Sequence, residues 1–148
     1  MSVNAVQEII DHAKRISDRQ ERVYPGMPAR FTEAATVNDR IWQGDLALTI
    51  IAAVPKDYVV ANDFKGQLVP GQNQGARHCL DNVNSTEVYL PPVWNEESLD
   101  GPVFVTLQES TVVHPVHGDV TIPAGFVVNC TYQREWDKEQ ARERRAID

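Results

Sequence analysis

Residues 112–128 carry the sequence VVHPVHGDVTIPAGFVV, which places two of the chain's four histidines between two runs of strand-forming residues. Pro115 fixes its own φ and donates no backbone hydrogen bond, and Gly118 permits positive φ. The stretch therefore predicts a hairpin-like loop that carries His114 and His117 between two strands. Such a loop either holds a ligand or is an ordinary tight turn, and the sequence leaves both alternatives open.

Further strand-forming runs lie on both sides of this loop. The longest spans residues 41–54, where Gly44 predicts a bulge or a close backbone approach. Shorter runs occupy residues 58–60, 86–90, 103–107, 110–113, 120–122 and 126–132. Turn signals recur roughly every ten residues and no strand–helix–strand alternation occurs, which predicts a mainly β fold. We expect a small barrel or sandwich, jelly-roll-like in character.

The N-terminal part of the chain has a helical pattern. Apolar residues recur at helical spacing over residues 4–22, which predicts an amphipathic helix whose apolar stripe packs on its own domain or on a second copy of the chain. Two prolines and a glycine then end the helix. We therefore expect a helical arm at residues 1–28 and a β-barrel or sandwich domain at residues 29–148. Weaker patterns predict a linker or short strand near residues 34–37 and a short helix through residues 137–145.

Length, charge and cysteine content restrict the class of protein. The chain has 148 residues, a net charge of −7 and two cysteines. This length suffices for one domain with its own core, and the acidic balance argues against unassisted binding to duplex DNA, because phosphate contacts dominate that affinity. No signal peptide is visible and no apolar run reaches the roughly 20 residues of a membrane helix. We expect reduced thiols and a cytoplasmic location, or a virion location for a phage protein.

His78, His114 and His117 form the first candidate site. Neutral imidazole is a common ligand of zinc and related divalent metals, and three protein ligands with an open position are typical of a catalytic metal site. A loop before one strand and a later hairpin can meet at one end of a β domain, which would bring the three imidazoles together. Asp119 or Glu109 would then act as a fourth ligand or orient a histidine. Alternatively, the histidines only form hydrogen bonds near turns.

A second candidate site combines aromatic and cationic side chains. Trp42, Trp94, Trp136 and Arg77 are of the types that stack on a base or a sugar. Residues of this kind, spread singly, are more often core or interface anchors. The sequence has no Gly-rich phosphate loop, serine nucleophile elbow or Cys-x-x-Cys motif. We therefore predict ligand contacts by Arg77, Trp42 and Asp119 and assign no catalytic residue.

The turn GDVTIPAG at residues 118–125 resembles part of the second motif of cupins, which are jelly-roll barrels. In cupins a metal-binding histidine follows shortly after the glycine, whereas this chain has FVVN at residues 126–129. The His-x-His plus Glu of the first cupin motif is also absent. The resemblance therefore implies a β barrel without the usual cupin metal ligands.

A wider resemblance covers roughly the last two-thirds of the chain. The chain resembles a small, largely uncharacterised family of bacterial and phage proteins in WQGDL at residues 42–46, GARH at 75–78, HPVHG at 114–118, PAG at 123–125 and YQRE at 132–135. Members of that family often carry Gly-His-x-His where this chain has GARH, so Ala76 replaces one histidine. The resemblance implies no defined activity.

Two functions of different classes fit these observations. One is a non-catalytic, oligomeric binding or assembly module, such as a phage structural or accessory protein, because an arm, an acidic surface and short strands with open edges favour association. The other is a metal-dependent, cupin-like enzyme that uses His78, His114 and His117 to activate water or oxygen. We favour the first, with a second copy or another protein as the partner and no membrane contact.

Overall fold

The computed structural model describes residues 20–22, 28–72, 75, 77–137 and 142–146. Strands dominate this part of the chain, together with a 3₁₀ turn at Val83–Ser85. In the described part, no helix has the length and apolar character needed to cross a membrane. The predicted mainly β class is confirmed.

Thirteen strands are present in the described residues. In chain order they are β1 (Gln20–Arg22), β2 (Ala29–Phe31), β3 (Arg40–Gln43), β4 (Leu46–Ile51), β5 (Val59–Val60), β6 (Cys79–Leu80), β7 (Thr86–Leu90), β8 (Asp100–Thr106), β9 (Ser110–Val113), β10 (Val120–Ile122), β11 (Val127–Tyr132), β12 (Arg134–Asp137) and β13 (Arg142–Arg145).

These strands form two main sheets and one separate hairpin. The first sheet has the order β1-β2-β10-β9-β6, the second has the order β3-β4-β11-β8-β7-β5, and β12 pairs with β13. Strands β2 and β10 run parallel, while the other pairs, such as β9 with β10 and β4 with β11, are antiparallel. Neither sheet closes on itself within the described residues, so a sandwich fits the fold and a closed barrel is not seen.

One hydrophobic core fills the space between the two sheets. Phe31, Val112 and Ile122 reach it from the first sheet, and Leu48 and Phe104 reach it from the second. All five side chains are fully buried, and each such burial stabilises the fold by about 1.5–3 kcal/mol. The alternation of inward and outward side chains along short strands is what allows each sheet to supply one face of this core.

The predicted N-terminal helix is wrong at its end. Residues 20–22 form β1, which pairs antiparallel with β2, and the remainder of that helix lies outside the described residues. The short strand considered near residues 34–37 is instead a pair of turns, and the strand is β2. Pairing with a neighbouring strand decides the conformation here, because a three-residue strand has no periodicity that the sequence alone can display.

The predicted helix through residues 137–145 is also wrong at both of its ends. Strands β12 and β13 form an antiparallel hairpin in which Glu135 lies opposite Arg144 and Asp137 lies opposite Arg142. Alternating acids and bases suit exposed helix positions, but opposite charges at directly opposed strand positions also favour a hairpin. The sequence pattern therefore fitted both structures.

The run at residues 41–54 forms two strands and not one. Gln43 lies opposite Leu46 in the β3–β4 pair, so Gly44 and Asp45 make a two-residue hairpin loop. Gly44 has a φ of 59°, which suits the first loop position of a type II′ turn and disfavours residues with a Cβ atom. The predicted bulge is therefore a turn, and this turn brings the backbone of the second sheet close to the loop of residues 114–119.

Candidate functional site

The three predicted histidines lie together in the structure. His114 and His117 occupy the loop between β9 and β10, and His78 directly precedes β6, which pairs with β9. The ring centroid of His114 is 4.3 Å from that of His78 and 4.4 Å from that of His117. The rings of His78 and His117 are nearly parallel, at 10°, with centroids 6.1 Å apart. We call these three residues the histidine cluster.

The cluster is set into the interior at one end of the sandwich. His78 is completely buried, and His114 is only 9% exposed. Side chains alternate in extended chain, so His78 lies on the same face as Leu80, a member of the core. Cys79, between them, points to the other face and is a free thiol. The strand geometry therefore directs His78, and neither of its neighbours, into the protein.

Both ring nitrogens of His78 face acceptors. Nδ1 lies 2.8 Å from Oε1 of Gln43, and Nε2 lies 3.1 Å from Oδ1 of Asp45. The Gln43 amide is oriented by its own Nε2, which donates to the carbonyl oxygens of Val112 at 3.0 Å and Gly118 at 2.7 Å. Its Oε1 must therefore accept the bond from His78. With the Asp45 carboxylate on the other side, the ring of His78 is held between two side chains of the β3–β4 hairpin.

Asp45 is the acidic partner of the histidine cluster. Asp45 is only 7% exposed, and this burial by itself raises the pKa of its carboxyl group. The hydrogen bond with His78 and the Coulombic effect of that ring act the other way, assisted by a bond from the backbone of Asp45 and by Arg145. The net effect holds the pKa of Asp45 below its usual value of 3.8. Asp45 and His78 thus form a buried hydrogen-bonded pair between the two sheets.

His114 uses one ring nitrogen to shape its own loop. Its Nδ1 accepts hydrogen bonds from the backbone N–H of Val116 at 3.0 Å and of His117 at 3.2 Å. Nδ1 therefore carries no proton, which fixes the neutral ring as the Nε2–H tautomer. The predicted tight turn at Pro115 is thus closed by a histidine side chain.

His117 lies directly over the β3–β4 turn. A Cβ atom at residue 44 would come within 2.6 Å of Nε2 of His117, so the approach requires glycine at this position. The close backbone approach predicted at Gly44 is therefore present. Together with the bond from Gln43 to Gly118, it fastens the β9–β10 loop of the first sheet to the β3–β4 turn of the second.

The structure gives no direct support for a metal ion in the cluster. Among the residues described, no group of three or more His, Cys, Asp or Glu side chains is arranged to hold a metal. Glu109 pairs with Arg30 at 3.3 Å, Asp119 is exposed, and the carboxylate of Asp45 contacts His78. A divalent metal such as zinc on His78, His114 and His117 stays a prediction, and it would have to displace hydrogen bonds of the first two.

The predicted aromatic and cationic residues lie apart from one another. Trp42 is on the outer face of β3, with the Arg40 guanidinium 5.8 Å from its ring centroid. Trp94 packs against Phe64, with ring centroids 6.0 Å apart, and its Nε1 donates to the hydroxyl of Tyr132 at 2.9 Å. Arg77 is partly exposed and precedes His78, and the side chain of Trp136 lies outside the described part of the structure. Ligand contacts by Arg77, Trp42 and Asp119 stay predictions.

Sequence reasoning missed the roles of Gln43 and Asp45. The available signal was the alternation along β3: Ile41 is buried, so Gln43 two positions later faces the core as well. A polar side chain at an inward position needs hydrogen-bond partners, and that requirement makes Gln43 recognisable from the strand pattern alone. Asp45 carried a weaker signal, as the residue after a glycine in a two-residue turn.

The comparisons with known proteins give one match. The model of a protein family described as "Domain of unknown function (DUF8820)" matches residues 42–130, more than half of the chain. This region begins in β3 and ends in β11, so it contains the whole histidine cluster together with Gln43 and Asp45. No curated protein and no solved structure matches the chain.

Proposed function

The chain belongs to the DUF8820 family, whose function is not defined, and we propose that it is a non-catalytic, oligomeric binding or assembly module. One observation carries this proposal: the ring nitrogens of His78 form hydrogen bonds that join the two sheets, and a ring nitrogen of His114 forms hydrogen bonds that hold its own loop. His78 bonds Gln43 and Asp45, and His114 bonds the backbone of its own loop. Such bonds stabilise one conformation of the scaffold and need no substrate.

The position of the cluster supports a structural role. A catalytic acid or base has to come within hydrogen-bond reach of a reacting group, but His78 is fully buried and both of its nitrogens have protein partners. A buried polar network in which every group has a partner makes a fold rigid and unique. A rigid sandwich with fixed loops is a suitable unit for assembly.

Exposed apolar residues at a sheet edge also support an assembly role. Strand β5 lies at the edge of the second sheet, and both of its residues are exposed valines. Val59 is 67% exposed and Val60 is 42% exposed. Open apolar edges of this kind favour contacts with other chains. The partner in this proposal is a second copy of the chain or another protein, with no duplex DNA and no membrane. The finer proposal is a phage structural or accessory protein, located in the cytoplasm or in the virion.

The proposal is tested by measuring the mass of the purified full-length chain in solution. Light scattering coupled to size exclusion, over a range of protein concentrations, should give a mass above that of one chain. His117→Ala, which removes a cluster imidazole without touching β5, should leave that mass unchanged. A chain that is monomeric at every concentration and captures no protein partner would contradict the proposal.

The metal-dependent, cupin-like enzyme is the second candidate, favoured by the closeness of the three imidazole rings. It predicts about one equivalent of metal per chain, consistent with a three-histidine site. Elemental analysis of protein purified without added metal, followed by zinc titration of the wild type and of His117→Ala, separates the two candidates. Stoichiometric zinc that is lost in the variant supports the enzyme, and no bound zinc in either protein supports the assembly module.

A further inference from the structure

A cavity of about 380 Å³ is lined by the segment that follows β5 and by the end of β7 with the residues after it. Its walls are mostly apolar and include Ala61, Phe64, Pro70, Leu90 and Trp94. Cavities of roughly 300–1,000 Å³ with apolar and aromatic walls are typical of small-molecule sites. None of the lining residues belongs to the histidine cluster, so this cavity is a separate candidate binding site.

Hydrogen bonds hold the aromatic wall of the cavity in place. Nε1 of Trp94 donates to the hydroxyl of Tyr132 at 2.9 Å, and that hydroxyl donates to the carbonyl oxygen of Leu68 at 2.6 Å. Tyr132 is itself buried in the core. The ring of Phe64 packs against Trp94 and against the same core. A preformed wall lowers the cost of binding, because the ligand does not have to order it.

Two opposite charges line the same cavity. Asp63 and Lys65 flank Phe64 in the sequence, and both line the cavity and are exposed to solvent. Within the described part of the chain, neither forms an ion pair with the other or with a third residue. One acid and one base are therefore available to a ligand beside an apolar cavity.

The backbone that carries these charges is fixed on both sides. Ala61 donates its N–H to the carbonyl oxygen of Val88 in β7 at 2.8 Å, and Leu80 in β6 donates its N–H to the carbonyl oxygen of Gly66 at 2.8 Å. Residues 62–65 are therefore held between two strands of different sheets. The acid and the base thus start from defined positions relative to the aromatic wall.

We propose that this cavity binds a free amino acid with an aromatic or large aliphatic side chain, with its ammonium group at Asp63 and its carboxylate at Lys65. The side chain of the ligand then lies against Phe64 and Trp94. This class of ligand matches the acid, the base and the apolar walls together. A ligand with a single charge would meet a like charge at the cavity, and a neutral one would leave both charges without a partner. The site is separate from the surface proposed for assembly, so either proposal can fail alone.

The first test compares ligands that differ by one charged group. Isothermal titration calorimetry of the full chain with L-phenylalanine should give saturable binding with a Kd of about 1 mM or lower. Phenethylamine lacks the carboxylate and 3-phenylpropionate lacks the ammonium group. Each should bind about two- to fivefold more weakly than L-phenylalanine, because an ion pair at an exposed group contributes little.

The second test assigns each charge of the ligand to one residue. Asp63→Asn should weaken L-phenylalanine and phenethylamine about two- to fivefold without weakening 3-phenylpropionate. Lys65→Gln should weaken L-phenylalanine and 3-phenylpropionate without weakening phenethylamine. Asp57→Asn and Lys56→Gln are the matched controls, because these exposed charges do not line the cavity. Both controls should bind all three ligands as the wild type does.

The third test fills the cavity. Ala61→Leu adds apolar volume at the wall and should weaken L-phenylalanine on the order of tenfold or more, because overpacking competes with the ligand. Ala53→Leu is the control, since Ala53 is exposed and lies outside the cavity. Thermal melts show whether both variants remain folded, and the two charge variants test the site independently of Ala61→Leu.

The outcomes that overturn the inference are specific. No saturable binding of L-phenylalanine up to ~10 mM, or binding that a folded Ala61→Leu variant leaves unchanged, overturns the site. Analogues that bind as tightly as L-phenylalanine, together with charge variants that change nothing, overturn the amino-acid assignment. N-acetyl-L-phenylalaninamide carries the same ring without either charge. If it binds as tightly as L-phenylalanine, the cavity takes an aromatic side chain of a protein partner and the free amino acid is excluded.

Discussion

His78 and Asp45 form a buried hydrogen bond that joins the two sheets, with Nε2 of His78 3.1 Å from Oδ1 of Asp45. His78 is the residue directly before β6 of the first sheet, and Asp45 lies in the β3–β4 turn of the second. Gln43 holds the opposite nitrogen of the same ring. The end of the sandwich where the sheets meet is therefore held by directional polar bonds in addition to the apolar core.

Asp45→Ala should destabilise the fold strongly. The substitution leaves Nε2 of His78 buried without its hydrogen-bond partner, and a buried polar group left unsatisfied typically costs about 1–3 kcal/mol. Urea unfolding followed by circular dichroism measures the change in the free energy of unfolding. Asp119→Ala is the matched control, because the side chain of Asp119 is exposed and its loss should change stability by less than about 0.5 kcal/mol. Equal effects of the two substitutions would show that the hydrogen bond between His78 and Asp45 adds no stability.

Stability should fall in acid because of Asp45. Its pKa is lower in the folded protein than the usual value of 3.8, so the carboxylate stabilises the fold above that value. This contribution is lost as the pH falls through the lower, folded pKa, because the unfolded chain takes up the proton first. The free energy of unfolding, measured from neutral pH to below 3.8, should therefore decrease more steeply for the wild type than for Asp45→Asn. Parallel curves would contradict the assignment.

Gly44→Ala should cost more stability than Gly125→Ala. Both glycines have positive φ, 59° and 91°, so each substitution carries the backbone cost of about 1–2 kcal/mol. A Cβ atom at residue 44 also meets the ring of His117, whereas one at residue 125 has nothing within 4 Å. Chemical denaturation of both variants isolates the contact with the ring.

The double variant Gly44→Ala/His117→Ala refines this test. Removing the ring should recover part of the stability lost in Gly44→Ala, relative to His117→Ala alone. If the two changes in the free energy of unfolding are strictly additive, the β9–β10 loop moves away from residue 44 without a loss of stability.

The N-terminal residues should contribute to self-association. Residues 4–22 have an apolar stripe at helical spacing, although residues 20–22 form β1 in the structure. A chain that begins at Gln20 lacks most of this stripe and keeps β1. By light scattering it should show a smaller mass or a weaker association than the full chain. Replacing Ile9 and Ile10 with serine in the full-length chain is the matched control for chain length. An unchanged mass in both would assign the interface to the β domain alone.

Prediction from the sequence worked where neighbouring residues decide the structure. Strands β9 and β10 occupy the two runs beside His114 and His117, because alternating apolar residues bounded by Pro115 and Gly118 favour two strands and a turn. It failed for residues 20–22 and for β12 and β13, where a short polar segment becomes a strand only by pairing with another one. Membership of a family without a defined function, which the sequence also predicted, is confirmed over residues 42–130.

By itself the sequence determined the β class, the main strands and the turn that carries His114 and His117, since these depend on propensities and spacings over a few residues. Only the tertiary structure decided what those histidines contact. Gln43 and Asp45 are 35 and 33 positions from His78, and the order of the strands brings them to the same end of the sandwich. No local pattern encodes that meeting, because hydrogen bonds between distant residues follow from the packing of one sheet on the other.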